Sequence, residues 1–294
     1  MKLCLGTVQF GMDYGVQGAH KPSQKTTDSI LNKAIENKIY HFDTAAVYGN
    51  AEEVVGSYFL RKGLQGQKII SKLPADAFDG QPKEKWKDIV LQNASKSFKN
   101  LHSGTLEAYL FHNAGYIFNE DAVKALHSAV EEGFARHAGV SVYMPAEAMK
   151  ALEYPEIDII QIPYNVFDRR LDKCGFFEKA DEKGIEVYAR SSLLQGLALM
   201  EPEILPENMK FASGYLKRFR KICESYGISL LEAAVGYVGK HKGIAYVVFG
   251  VDSQEQLKEY VSMRDKSVSD ELLKKLEQEF EIVEEKLVNP TLWN

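Results

Sequence analysis

The sequence predicts an α/β fold, a single-domain (β/α)8 TIM barrel, on three observations. Eight short apolar runs alternate with helical patterns along the chain, which is the repeat number of such a barrel at roughly 250 residues. Most of the runs are apolar throughout, as expected of parallel strands covered on both faces. The turn after the first run reads Gly6-Thr7-Val8-Gln9-Phe10-Gly11, which is not the GxGxxG of a doubly wound open sheet.

The strands are read at residues 2–7, 39–43, 68–72, 107–112, 137–141, 157–161, 185–190 and 244–249. The clearest helical patterns between them are residues 26–37, 83–101, 120–132, 171–183, 215–226 and 254–261. Gly133 and Gly184 stand where two of these helices must stop, because glycine takes a left-handed conformation without strain. Ser229-Leu230-Leu231-Glu232 and Ser253-Gln254-Glu255-Gln256 have the form of capping boxes, in which each side chain satisfies a backbone N–H that the helix leaves free. The barrel occupies about residues 1–265; residues 266–294 add a helix at 269–288 and a tail ending in Trp293 and Asn294, expected over the barrel mouth or against its base.

Composition narrows the partners. In 294 residues, 36 basic and 41 acidic side chains leave a net charge of −5. That argues against nucleic acid and anionic membranes, which require a basic footprint. No apolar run approaches the roughly 18 residues of a membrane span, and Gly6 and Gln9 break the opening run, so no signal peptide is expected. Cys4, Cys174 and Cys223 form neither a disulfide framework nor a CxxC site, which points to a reducing cytoplasm. There is no HxH or HExxH pair, so no metal is expected. The partner expected is a small molecule, and the chain a monomer or weak homo-oligomer.

The informative feature is how six consecutive runs end: Asp43, Lys72, His112, Ser141, Gln161 and Arg190. Alternation puts His41 with Asp43, Ile70 with Lys72, and Leu110 with His112 on shared faces, although the pattern does not say whether that face is the lumen or the helix layer. In this fold the C-terminal strand ends surround the active site. Singly, each residue has an ordinary role as a cap, a surface cation or a packed aromatic. Together with Tyr48, on the loop after the second strand, they suit one task. A free phenol has a pKa near 10; Lys72 beside it favours phenolate, Asp43 holds the lysine, and His112 orients a carbonyl oxygen. The result is a general acid aimed at a forming oxyanion, which suits carbonyl reduction by hydride.

At these residues the chain resembles the aldo-keto reductases. Leu5-Gly6-Thr7-Val8-Gln9-Phe10-Gly11 looks like the opening strand of that family. Asp43-Thr44-Ala45-Ala46-Val47-Tyr48-Gly49-Asn50-Ala51-Glu52 is similar to its DTAxxYGxxE signature, and Ile69-Ile70-Ser71-Lys72 and Leu110-Phe111-His112 to its lysine and histidine segments. The resemblance implies catalytic Asp43, Tyr48, Lys72 and His112, with Tyr48 as the acid, and NADP or NAD bound across the barrel mouth. It further implies that Ser141 and Gln161 hold the nicotinamide amide. Arg190 stands where many members stack a tyrosine under the ring; an arginine plane can also stack. Gly6, Thr7 and Asp43, the run Ser191, Leu193, Gln195 and Gly196, and Gly250, Asp252, Ser253 and Gln256 after the eighth strand complete the implied cofactor contacts. Val142 replaces the asparagine that usually follows the serine. No base precedes Lys258 after the eighth strand, where NADP-preferring members carry one, so NAD is favoured; an ordinary helix-capping role for Asp252 and Ser253 is the alternative.

Tyr14, Val47, Tyr116 and residues 202–211 are the expected frame of the substrate pocket, and an open mouth suggests a sugar derivative. Two rival readings use the same residues. Lys72 at a strand end also suits a Schiff-base aldolase-type lyase, and an idle cofactor-sensing binding protein needs no turnover.

Overall fold

The computed structural model describes residues 1–16, 18 and 20–293. The strands are β1 (Leu3–Gly6), β2 (His41–Asp43), β3 (Lys68–Leu73), β4 (Leu106–Phe111), β5 (Ala135–Ser141), β6 (Ile159–Pro163), β7 (Glu186–Arg190) and β8 (Tyr246–Gly250). They close in chain order into a parallel barrel, with β8 pairing back onto β1 through Gly6 and Gly250. The expected (β/α)8 fold is therefore the observed one.

Strand alternation settles which face is which. Cys4, Ile70, Ala108, Leu110, Ile159, Tyr188 and Val248 form one cluster inside the barrel. Their strand neighbours Leu5, Ile69, Tyr109, Ile160 and Val187 belong to the larger core under the helices. Two residues on from Ile70, Leu110, Ile159 and Tyr188 come Lys72, His112, Gln161 and Arg190. These polar ends therefore crown the lumen, above a plug of packed side chains.

Three helices add to those read from the sequence, Ala51–Lys62, Pro145–Ala151 and the short Val8–Gly11. Ala51–Lys62 is interrupted in pattern by Gly56, and the reason is spatial: a Cβ there would stand 2.1 Å from the Asn100 carbonyl oxygen of the neighbouring helix Trp86–Asn100. The expected helix at 171–183 is instead a turn, Arg170–Lys173, and a helix, Phe176–Glu182, separated by Gly175 at φ 68°. The expected helix at 269–288 is likewise broken, into Asp270–Glu279 and Glu285–Val288. Buried Phe280 marks the break, and basic side chains take the carbonyls freed there: Arg169 Nη2 donates to Glu277 O at 2.7 Å and Lys173 Nζ to Glu281 O at 3.0 Å.

The described part of the tail packs against the loop after β7. Trp293 is buried; its indole N–H donates to Lys286 O at 2.7 Å, and Asn208 Nδ2 donates to Trp293 O at 2.9 Å. That fixes the tail to the turn Glu207–Ala212 in the loop after β7. No helix among the described residues is long and apolar enough to cross a membrane.

Candidate active site

A cleft of about 460 Å³ opens at the C-terminal strand ends, within the usual range for small-molecule sites. It is lined by Gly6, Thr7, Tyr14, Asp43, Tyr48, His112, Ser141, Gln161, Arg190, Ser191, Leu193, Gln195, Gly196, Gly250, Asp252 and Gln256. Lys72 lies beneath it, 1% exposed. Val47, Tyr116, Ser253 and residues 202–211 do not line it. Tyr116 packs on Phe78 and Phe111 and its hydroxyl accepts from Phe78 N at 3.1 Å. Ser253 accepts from Gln256 N at 3.3 Å, capping the helix Gln254–Met263. The expected reciprocal bond is shifted by one residue, because Gln256 Oε1 accepts from Asp252 N at 3.1 Å.

The loop after β2 is fixed from below and from the side. Thr7 donates to Asp43 O through both its backbone N–H (2.9 Å) and its hydroxyl (3.1 Å). Gly11 lets the short helix Val8–Gly11 touch the backbone at Tyr48: a Cβ at Gly11 would sit 1.7 Å from Tyr48 O. Lys72 Nζ donates to Asp43 Oδ1 at 2.7 Å and to Thr44 O at 2.8 Å. Gln161 Nε2 donates to the same Asp43 oxygen at 2.8 Å. The Lys72 ammonium lies 5.2 Å from the Tyr48 ring centroid, and His112 meets that ring edge-on at 5.7 Å.

Burial alone would push the Lys72 ammonium down, but the attraction of Asp43 and Tyr48 outweighs it and the net shift is upward. Lys72 is thus held as a cation. For His112, burial, reinforced by Lys72 and then Arg190, lowers the pKa to about 3; the imidazole is neutral at ordinary pH, and its buried Nδ1 has no hydrogen-bond partner among the described residues. Tyr48 departs from expectation. Lys72 does pull its hydroxyl down, but burial weighs more and the net shift is upward. In this structure the phenol is a firmly protonated donor rather than an unusually acidic one.

Arg190 crosses the mouth from β7. Its Nη2 donates to Val142 O at 2.8 Å, its Nη1 to Ser191 Oγ at 3.2 Å, and its Cζ lies 4.3 Å from the Tyr143 ring centroid. Tyr143 lines the cleft and was not anticipated from the sequence, where a tyrosine two residues past a strand end carries no distinguishing signal. The same holds for Gln9, Glu259 and Tyr260, also in the lining. Gln9 folds its carboxamide over Gly250, where a Cβ would come within 2.5 Å of it. Glu52, quoted only as part of a motif, is buried and accepts from Ser71 Oγ at 2.6 Å and Asn100 Nδ2 at 3.1 Å, tying the helix Ala51–Lys62 to β3. On the loop after β7, Ser191, Leu194 and Gln195 hold positive φ of 63°, 48° and 56° without being glycine. Such strain is retained where surrounding structure dictates it and clusters at ligand-binding segments.

Fold and site together define an eight-stranded parallel barrel with a tyrosine, a buried lysine–aspartate pair and a histidine at its mouth. The sequence model of the Aldo/keto reductase family matches residues 2–279, and the chain belongs to that family, whose members reduce carbonyl groups with nicotinamide dinucleotides. Among curated relatives, the uncharacterized oxidoreductase YrpG of Bacillus subtilis is 23% identical, over 95% of this chain and 92% of that protein. L-glyceraldehyde 3-phosphate reductase of Escherichia coli O157:H7 is 25% identical, over 88% and 85%. Among solved structures, an aldo-keto reductase from Bacillus halodurans in its holo form superposes with a TM-score of 0.76 at 22% identity, covering 98% of this chain and 95% of that one.

Proposed function

We propose that this protein reduces an aldehyde or ketone to the alcohol, taking a hydride from a bound nicotinamide dinucleotide and a proton from Tyr48. The observation that carries the reading is the convergence of Tyr48, buried Lys72–Asp43 and neutral His112 on one cleft. The residues suit the dinucleotide. Ser141 and Gln161 sit side by side in register on β5 and β6, polar groups fit for a carboxamide. Gly6 and Gly250 face each other on β1 and β8 and bring no side chain of their own to that side of the mouth, where the Gln9 carboxamide lies over Gly250, and Leu193, Gln195 and Gly196 line the cleft from the loop after β7.

When bound, the dinucleotide supplies the hydride. His112, as a neutral imidazole, hydrogen-bonds the carbonyl oxygen and orients it. Tyr48 gives its proton to that oxygen as negative charge builds on it, and Lys72, fixed by Asp43, stabilises the phenolate left behind. A phenol whose resting pKa is raised by burial stays protonated until the oxyanion forms, and the ammonium acts most strongly on the charged product of the transfer.

The aldolase reading is disfavoured by the same geometry. A Schiff-base lysine needs a free amine with a depressed pKa, whereas Lys72 is ion-paired, shifted upward and outside the cleft lining. No described cluster of His, Cys, Asp or Glu is suited to a metal.

Asp252, Gln256, Glu259 and Gln9 line the β8 end of the cleft, with no cation beside them among the described lining residues, which favours NAD over NADP, since a 2′-phosphate calls for a basic partner. Tyr14, at the rim, faces the substrate, and the half-open mouth suits a polar carbonyl compound of the sugar-aldehyde type; one relative is named for a small phosphorylated hydroxyaldehyde. A panel of aldehydes and keto-sugars, followed by loss of reduced-nicotinamide absorbance with NADH and NADPH in parallel, tests the reading. Turnover abolished in Tyr48→Phe supports it, and absence of dinucleotide binding in a direct fluorescence titration overturns it.

A further inference from the structure

Arg190 is a fixed cation without a carboxylate. Its hydrogen bonds go to a carbonyl and a hydroxyl, its guanidinium carbon lies over the Tyr143 ring, and among the described residues no acidic group comes within ion-pair distance of it. The other cation of the site, Lys72, is paired with Asp43 at 2.7 Å. Arg190 is also placed by the barrel itself. It ends β7, reaches over β6 to the last carbonyl beyond β5, and thereby lies beside Ser141 and Gln161, which are in register on those two strands. Three anchors from β5 and β7 segments leave the guanidinium little freedom to withdraw.

A nicotinamide ring is neutral when reduced and carries a positive charge when oxidised. A guanidinium stacks favourably on a neutral ring but repels a cationic one. We propose that Arg190 discriminates between the two redox states of the cofactor, favouring the reduced dinucleotide and disfavouring the oxidised one, so that the site is biased toward carbonyl reduction and toward release of spent cofactor. This rests on the reading that Ser141 and Gln161 hold the nicotinamide amide. Tyr143 supports the charge through its ring face without cancelling it. The charge is thus present in the reaction cleft whether or not substrate is bound.

The test is the ratio of dissociation constants for NAD⁺ and NADH, and for NADP⁺ and NADPH, measured by calorimetric and fluorescence titration in the absence of substrate. A unit positive charge brought into the same partly solvated cleft as the guanidinium is repelled strongly enough to change this ratio by about tenfold or more. Arg190→Met and Arg190→Tyr, each checked for folding by circular dichroism, are expected to lower the oxidised-to-reduced ratio at least that far, chiefly by tightening the oxidised form. Arg190→Lys, which keeps the charge, is expected to retain the ratio. If both neutral variants weaken the two redox states equally, Arg190 is only a stacking surface and the inference fails while the oxidoreductase reading stands. If the wild-type protein binds neither dinucleotide, both fall.

Discussion

Lys72→Met probes the central arrangement on two axes at once. Lys72 is buried, ion-paired to Asp43 at 2.7 Å and 5.2 Å from the Tyr48 ring. Removing it strands a buried carboxylate whose remaining hydrogen-bond donor is Gln161; breaking a buried pair in this way costs about 3–5 kcal/mol of stability. It also removes the charge that stabilises the Tyr48 phenolate. At 5.2 Å and an effective dielectric of about 20 this attraction is about 3 kcal/mol, on the order of a hundredfold in rate. The two effects separate in the double variant Asp43→Asn/Lys72→Met, which leaves no buried charge. Urea denaturation is expected to show most of the lost stability restored, while kcat with a good carbonyl substrate stays about tenfold or more down, the loss of the lysine's attraction being offset in part by loss of the Asp43 charge that opposes the phenolate. Dinucleotide affinity is read in the same preparations. Should the double variant regain activity along with stability, or should Lys72→Met lose less than about fivefold in kcat, the ammonium has no electrostatic part in proton transfer and the mechanism is wrong.

Three other outcomes follow from the packing and titration of the site. Gly11→Ala places a methyl 1.7 Å from Tyr48 O and 2.7 Å from Ala51 N, so the backbone carrying Tyr48 must move; kcat is expected to fall about tenfold to a hundredfold, since displacements near 1 Å at a reacting group cost that much, and an unchanged kcat would show that the loop position is not critical. Unfolded histidine protonates near 6.5, while burial, then Lys72 and Arg190, holds folded His112 near 3. Between those values the unfolded chain binds the extra proton, so stability present above pH 6.5 is lost as pH falls toward 3. His112→Asn is expected to flatten part of that slope in urea midpoints measured across the range; His41, held near 4 by burial and then Lys68, supplies a further part with the same sign. Tyr116→Phe removes hydroxyl contacts to Phe78 N and Asp79 Oδ1 and is expected to cost about 0.5–1.5 kcal/mol with KM unaltered; a raised KM would return Tyr116 to the substrate pocket.

Much of this was legible in one dimension because strand alternation is local. Once Ile70, Leu110 and Tyr188 are known to be lumenal, the positions of Lys72, His112 and Arg190 follow from counting by two. The choice between lumen and helix layer was not legible, since parallel strands are apolar on both faces. What escaped the sequence depends on contacts between distant segments. Tyr143 matters because Arg190, 47 positions away in the chain, lies across it. Gln9 matters because β8 returns to β1 and brings Gly250 under it. The break at Phe280 is set by Arg169 and Lys173 reaching freed carbonyls, which helical periodicity cannot register. The ordering of effects on Tyr48 was equally hidden: the lysine neighbour was inferable, but the weight of burial against it was not.

The most direct measurement is single-turnover hydride transfer in wild type and Tyr48→Phe, with dinucleotide affinity determined in the same samples. The account predicts a fall of about a thousandfold in the transfer rate, in keeping with loss of a general acid, and a dissociation constant within about twofold of wild type because the ring and its packing on His112 remain. A Tyr48→Phe enzyme that transfers hydride within about tenfold of the wild-type rate would contradict it.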